Sequence, residues 1–153
     1  MRLAALLLAA MMAAPLAAFE IPFPAAIDVR LPGDPAEASL DGRWDLSECA
    51  KLQFQAGFNG RGAGLLLLQL YVVTDDFVQY QAIQAISIPR GGRRLVAIEP
   101  AIGLEPCGQA APWSVHAARR VIRIGIRVYS GMFNRGTVAI TGSAGGDALV
   151  GDT

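Results

Sequence analysis

The sequence predicts an all-β domain, an antiparallel jelly-roll β-sandwich, preceded by an N-terminal export signal. Short segments in which apolar and polar residues alternate recur along the chain, and this is the period of a strand with one buried face. Turn sequences rich in Gly, Pro, Asn and Asp separate these segments. Beyond the first residues, no run of a dozen residues has the period of an amphipathic helix, which argues against a parallel α/β fold.

The first 18 residues have the pattern of a secretory signal peptide. Arg2 provides a positively charged N-terminus, and residues 3–19 carry no charge. Pro15–Ala18 place small residues before a cleavage site. A cut after Ala18, within a few residues, makes residues 19–153 the folded domain and predicts a periplasmic or secreted location. An uncleaved anchor is the alternative, because 17 apolar residues are at the short limit for crossing a bilayer. The mature form is expected to have no membrane segment.

The predicted strands follow one another along the rest of the chain. Each either alternates in polarity or is a short apolar run bounded by turn residues. In chain order they cover residues 27–31, 52–58, 65–74, 77–88, 95–99, 122–129 and 137–141. Turns are predicted at Asp41-Gly42-Arg43, Asn59-Gly60, Asp75-Asp76 and Pro89–Gly92.

Three other segments are predicted to lie outside the strands. Pro100–Pro112 is rich in Gly and Pro and is predicted as a loop, and Trp113–Ala118 as one helical turn. Gly142–Thr153 is small and polar and is expected to fray. Some seven or eight strands with short connections favour a sandwich or jelly roll.

Charge argues against a nucleic-acid partner. The chain has 13 basic and 13 acidic residues, and loss of Arg2 with the signal leaves 12 basic residues and a net charge of −1. A nearly neutral domain has no cationic surface large enough to neutralise a phosphate backbone. We therefore expect no nucleic-acid binding.

Two cysteines remain after the signal, Cys49 and Cys107. In an exported chain such a pair predicts a disulfide, which would stabilise the fold by about 4 kcal/mol through loop closure. Two Cys with the single His116 cannot form a usual zinc site, and there is no CxxC redox pair.

Two segments together resemble a known family. Trp44-Asp45-Leu46-Ser47 leads into a strand that begins near Lys51, and late in the chain RRVIRIGIRVYSG is followed by a short loop and GTVAIT. This order resembles the galactose-binding-like jelly-roll domains, carbohydrate-binding modules found beside the catalytic domains of polysaccharide-degrading enzymes. The resemblance covers about Ile27–Ser143. These domains often hold a structural calcium with an Asp in the last strand. Thr141 stands at that position here, which argues against a metal.

No catalytic constellation is present in the sequence. A Ser-His-Asp triad would have to use His116, and no G-x-S-x-G elbow surrounds a serine. Paired acidic residues such as Asp75 and Asp76 are explained by turn chemistry. No P-loop, dinucleotide fingerprint or EF-hand is present, so neither a cofactor nor catalysis is expected.

The polar positions of the strands are rich in amides, guanidinium groups and tyrosine. These groups hydrogen-bond sugar hydroxyls, and a tyrosine ring can stack on the apolar face of a sugar. The alternative is the solvated face of an ordinary half-buried sheet. The predicted ligand-binding residues are Gln53, Gln55, Gln69, Tyr71, Gln79, Gln81, Arg123, Arg127 and Tyr129.

The other aromatic residues divide between core and loops. Trp44, Phe54 and Phe58 are predicted to be in the core. Trp113 lies in a loop, where it either covers the core or touches a ligand, and Phe133 lies at a loop tip that could contact a partner.

The leading hypothesis is an exported, non-catalytic module that binds a carbohydrate or a cell-envelope polysaccharide. An envelope structural or protein-interaction domain is the alternative, with a protein as its partner. A small hydrolase is a third and weaker one, because no acid, base and nucleophile converge in the sequence.

Overall fold

The computed structural model describes residues 19–146. The export signal, the cut after Ala18 and the last seven residues therefore lie outside the described part of the chain. Within residues 19–146 the chain forms strands and two one-turn helices, and none of its helices is long and apolar enough to span a bilayer.

The strands are divided between two sheets. The strands are β1 (Phe19–Glu20), β2 (Ala26–Leu31), β3 (Ala36–Trp44), β4 (Lys51–Gly62), β5 (Leu66–Thr74), β6 (Gln79–Ala82), β7 (Ile86–Ile88), β8 (Arg94–Ile98), β9 (Leu104–Pro106), β10 (Val121–Tyr129) and β11 (Asn134–Gly146). The helices are α1 (Pro100–Gly103) and α2 (Val115–Ala118).

All strand pairs in the two sheets are antiparallel. In the five-stranded sheet, β11 pairs with β1, β2 and β4, and β4 also pairs with β8. In the six-stranded sheet the order is β3-β10-β5-β6-β9, and β7 pairs with β5. The predicted all-β sandwich is confirmed.

The core lies between the inner faces of the two sheets. Ile124, Ile126 and Val128 of β10 are fully buried, and Phe54 and Phe58 of β4 face them from the other sheet with at most 2% of their surface exposed. This period of two is the one seen in the sequence. Burying each such side chain contributes roughly 1.5–3 kcal/mol, which makes this layer the main source of stability.

Two predicted turns are wrong. At both positions the chain stays extended, because it pairs there with a long neighbouring strand. Asp41-Gly42-Arg43 lies inside β3, whose Asp41 is opposite Arg123. Asn59-Gly60 lies inside β4, where Gly60 is opposite Gly136 of β11. The chain turns instead after Gly62, at residues 63–65.

Three predicted segments also change. Residues 77–88 form two short strands, β6 and β7, rather than one. The segment predicted as a loop at 100–112 contains α1 and β9, which pairs with β6. Residues 142–146 do not fray, because they extend β11 between β1 and β4. Asp75-Asp76 is a turn, and α2 supplies the predicted helical turn.

The aromatic residues mostly follow prediction. Phe54 and Phe58 are in the core, and Trp44 is half-buried against it. The Trp113 ring packs edge-to-face on Tyr80 with 5.0 Å between centroids, so it covers the core. Phe133 is 47% exposed, and the Arg135 guanidinium lies 5.6 Å from its ring centroid.

The structure does not show the predicted disulfide, because Cys49 and Cys107 are both free cysteines in it. The Cys49 thiol donates to the Lys51 carbonyl oxygen of β4 at 3.2 Å, and the Cys107 thiol donates to Gln81 Oε1 of β6 at 3.3 Å. Burial raises the pKa of both thiols above the usual value. Both are therefore weak nucleophiles in the folded chain.

This arrangement predicts two free thiols in the unreduced protein. Ellman's reagent should react slowly with the folded chain, because the thiolate is the reactive species and the raised pKa values keep it scarce. In urea it should titrate two thiols per chain. A titre of zero in urea without reductant would show that the cysteines are oxidised and would restore the sequence-based disulfide.

Candidate functional site

The outer surface of the six-stranded sheet carries mostly polar side chains, interrupted on β5 by the half-buried Leu67 and Val73. We call this surface the polar face. Its residues point away from the core because they alternate along each strand with buried ones. It comprises Glu37, Ser39 and Asp41 of β3, Arg123, Gly125, Arg127 and Tyr129 of β10, Gln69 and Tyr71 of β5, Gln79 and Gln81 of β6, and Glu105 of β9.

The structure brings together most of the predicted ligand-binding residues. Gln69, Tyr71, Gln79, Gln81, Arg123, Arg127 and Tyr129 are all on the polar face. Gln53 and Gln55 are not, because β4 belongs to the other sheet, where Gln55 is exposed and Gln53 is buried with 9% of its surface exposed. The nine predicted residues therefore do not form a single surface. Gln53 and Gln55 are not part of the polar face.

Register places polar residues in rows across the polar face. One row runs from Ser39 through Gly125 and Tyr71 to Gln81 and Glu105, each directly opposite the next. With about 4.8 Å between neighbouring strands, this row is roughly 19 Å long. A second row aligns Glu37, Arg127 and Gln69. Glu37, Ser39, Asp41 and Glu105 are members that the sequence analysis missed, since only strand pairing reveals them.

Tyr71 is the centre of the polar face, but its ring is covered. A Cβ atom on Gly125 would lie 2.2 Å from Tyr71 Cζ, so the ring lies directly over the bare glycine backbone. The Arg127 guanidinium carbon is 4.9 Å from the ring centroid, within cation–π range. Only 5% of Tyr71 is exposed. The expected stacking of a sugar on this ring is therefore wrong for Tyr71, and Tyr129 is the face's remaining aromatic side chain.

The phenol of Tyr71 is tied to β3. Burial raises its pKa, and the Glu37 carboxylate nearby raises it further. Ser39, the other polar neighbour on β3, acts in the opposite direction and lowers that pKa. Tyr71 therefore remains neutral and connects three strands of the sheet.

Two ion pairs join β10 to the edge strand β3. Arg127 Nη2 donates to Glu37 Oε1 at 3.1 Å, and Arg127 Nε donates to the same oxygen at 3.3 Å. Arg123 Nε donates to Asp41 Oδ1 at 2.6 Å. The Arg123 hydrogen bond lowers the pKa of Asp41, which keeps that carboxylate ionised. The charges on this side of the face thus compensate one another.

The glutamine side chains on the other half of the face are held in fixed orientations. Gln69 Nε2 donates to the Ala82 carbonyl oxygen at 2.8 Å. Gln81 Nε2 donates to Glu105 Oε1 at 3.4 Å, while Gln81 Oε1 accepts from the Cys107 thiol. Each amide group keeps further donor or acceptor capacity, because an amide can make four hydrogen bonds. The face is suited to hydrogen-bonding a polar chain without large rearrangement.

The residues considered for catalysis have structural roles. Ser114 Oγ caps α2 by accepting from the Ala117 amide at 3.2 Å, and His116 lies exposed on that helix. Asp75 Oδ1 pairs with Arg120 at 2.8 Å beside the predicted turn. Within residues 19–146, no three His, Cys, Asp or Glu side chains are grouped so that they could share a metal ion.

Comparison with known proteins places the fold. No protein-family model matches the chain, and no curated sequence matches it. The structure is similar to the agarase AgWH50C, with a TM-score of 0.53 and 11% identity over 86% of this chain and 24% of that one. It is similar to PfGH50B, with a TM-score of 0.53 and 14% identity over 88% of this chain and 23% of that one. This chain thus spans about a quarter of each of these proteins.

A third similar structure is the family 11 carbohydrate-binding module of the cellulosomal cellulase Lic26A-Cel5E of Clostridium thermocellum. Its TM-score is 0.48, with 9% identity over 88% of this chain and 89% of that one. At sequence identities this low, the matches to AgWH50C and PfGH50B show a shared fold and nothing more. The resemblance to β-sandwich domains of polysaccharide-degrading enzymes is confirmed at the level of fold.

The Tyr71–Gly125 contact predicts a specific sensitivity. Gly125→Ala should lower the free energy of unfolding in urea by about 1–3 kcal/mol, because the new methyl group overlaps the Tyr71 ring. Gly131→Ala is the matched control, since a Cβ atom there meets nothing within 4 Å. Equal losses in the two variants would contradict this packing.

Proposed function

We propose that this protein is a non-catalytic carbohydrate-binding domain whose polar face holds a neutral polysaccharide chain. The observation that carries the proposal is the pair of polar rows on the six-stranded sheet, one from Ser39 to Glu105 across five strands and one that aligns Glu37, Arg127 and Gln69. The fold, which recurs within a protein described as an agarase, supports a setting in polysaccharide recognition.

The chemistry of the polar face favours a neutral ligand. Arg123 and Arg127 are paired with Asp41 and Glu37, so the array presents no net positive field to an acidic polymer. Its remaining hydrogen-bonding capacity is made of amide and guanidinium groups, which match the donor and acceptor pattern of sugar hydroxyls. The half-buried ring of Tyr129 at the end of β10 adds an apolar surface for a sugar ring.

The same face is poorly suited to hydrolysis. A glycosidase needs one carboxylic acid with a raised pKa to protonate the leaving group. Asp41 has its pKa lowered by Arg123, which is the wrong direction for a general acid. We therefore assign the domain a binding role, which fits its match to about a quarter of the agarase AgWH50C and of PfGH50B.

We further propose that the domain acts outside the cytoplasm, in the periplasm or after secretion. The support is the predicted signal in residues 1–18. Polymers of the envelope or the surroundings are the ligands available there.

A second candidate function is a protein-interaction domain of the envelope. Ile83, Leu95 and Ile102 are 52%, 55% and 73% exposed, respectively. Ile83 and Ile102 line a cleft of about 310 Å³ that also contacts β8, the edge strand that carries Leu95. Exposed apolar side chains beside an edge strand are typical of a protein contact.

The test compares identical substitutions on opposite sheets. The protein should be retarded in affinity gels containing neutral polysaccharides, with agarose the first to try. Gln81→Ala should weaken binding about fivefold by calorimetry with a soluble oligosaccharide, because it removes hydrogen bonds made with the chain. Gln55→Ala removes the same group from the outer surface of the other sheet and should leave the affinity unchanged.

Thermal unfolding provides the folding control, and both variants should melt within about 2 °C of the parent. Equal weakening by both substitutions would place the ligand elsewhere. A chain that binds no neutral polysaccharide at all would contradict the proposal and favour the protein-interaction role.

A further inference from the structure

A separate cleft of about 330 Å³ opens where β3 ends and β10 begins. Its walls come from the end of β3, the turn after β5 and the segment that joins α2 to β10. It lies beyond the polar face residues, none of which lines it. Its chemistry-bearing side chains are Arg43, Trp44, Asp45, Asp75, Arg119 and Arg120.

Two of the three guanidinium groups in this cleft form no ion pair with a described residue, although the charge of Arg119 helps to lower the pKa of Asp45. Arg120 is fully engaged, with Asp75 at 2.8 Å and Asp76 at 3.5 Å. In contrast, no carboxylate among the described residues lies within 4 Å of the guanidinium of Arg43 or Arg119. The lining itself carries three cations and two carboxylates, and a third carboxylate, Asp76, lies beside Arg120 rather than beside Arg43 or Arg119.

The two carboxylates are already held by other groups. Asp45 Oδ1 accepts from the amide and the hydroxyl of Ser47, at 2.9 and 2.5 Å. These hydrogen bonds lower the pKa of Asp45, so it is an ionised acceptor of fixed position. Asp75 is fixed by Arg120. Each has a second oxygen that can accept from a hydroxyl group, as sugars provide.

Trp44 adds an apolar wall beside these charges. Its ring is half-buried and leans over Gly42, where a Cβ atom would lie 2.7 Å from the ring. The glycine therefore lets the indole lie close to β3 while it contacts the cleft. Indole rings provide apolar surface on which a sugar ring can pack.

We propose that this end cleft binds an acidic sugar residue, one that carries a carboxylate or a sulfate ester. Arg43 and Arg119 pair with the anionic group, since guanidinium forks match planar and tetrahedral oxyanions. Asp45 and Asp75 accept hydrogen bonds from the ring hydroxyls, and Trp44 packs against the apolar part of the ring. The inference deepens the proposed carbohydrate-binding function and names a second class of sugar at a second site.

Tryptophan fluorescence provides the readout. In a Trp113→Phe background, Trp44 is the remaining tryptophan, so its emission reports on the cleft. Titration with an oligogalacturonate, which carries carboxylates, and with a sulfated galactan oligosaccharide shows which of the two acidic groups the cleft binds. Saturable quenching is expected with at least one of them and not with a neutral galactan oligosaccharide, and it should weaken as NaCl is added.

Arginine variants make the assignment specific. Arg43→Gln and Arg119→Gln should each raise the dissociation constant about tenfold, because a charge-assisted hydrogen bond is lost. Arg30→Gln removes an exposed arginine of β2 in the other sheet and should change nothing. Calorimetry of Arg119→Gln without the Trp113 change gives the same comparison should Trp113→Phe fold poorly.

Three results would overturn the inference. They are equal quenching by inorganic sulfate alone, equal quenching by the neutral oligosaccharide, and unchanged affinity for the acidic sugars in both arginine variants. Failure here is distinguishable from failure of the polar-face proposal. Arg119→Gln is expected to keep its affinity for neutral polysaccharide, and Gln81→Ala its affinity for the acidic sugar.

Discussion

The close contact between the Tyr71 ring and the bare backbone of Gly125 is the constraint on which the polar face depends. It requires β10 and β5 to pair in the one register that puts these residues opposite each other. A one-residue slip would turn Ile124 and Ile126 outward and remove them from the core. The same register that buries the apolar residues therefore also builds the outer surface.

The residues that pack this surface are also those proposed to bind the ligand. Arg127 lies over Tyr71 and pairs with Glu37, and Arg123 pairs with Asp41. These contacts hold β3, an edge strand, onto β10 and leave no buried polar side-chain atom unpaired among the described residues. The arginines are fixed by groups of the protein itself, so the proposed polysaccharide ligand would not have to order them. The glutamines on β5 and β6 extend that pre-ordered surface towards β9.

Much of the fold followed from polarity alone, because alternation reports which side of a strand is buried. It gave the inward residues of β4 and β10 and the outward positions of the arginines. Alternation does not say which sheet a strand joins, so Gln53 and Gln55 were grouped with residues that belong to the other sheet. A local turn preference does not produce a turn where the chain pairs with a long neighbouring strand, as Asn59-Gly60 does with β11. The pairing of Cys49 with Cys107 was inferred from their number, which carries no information on distance.

The central claim is that the polar face, rather than the surface of the five-stranded sheet, holds the polysaccharide chain. Side-chain amide resonances in ¹H–¹⁵N spectra test it most directly during titration with a neutral galactan oligosaccharide. We expect concentration-dependent shifts of the NH₂ signals of Gln69, Gln79 and Gln81, with those of Gln53 and Gln55 unmoved. Shifts confined to Gln53 and Gln55, or no shifts at saturating oligosaccharide, would contradict it.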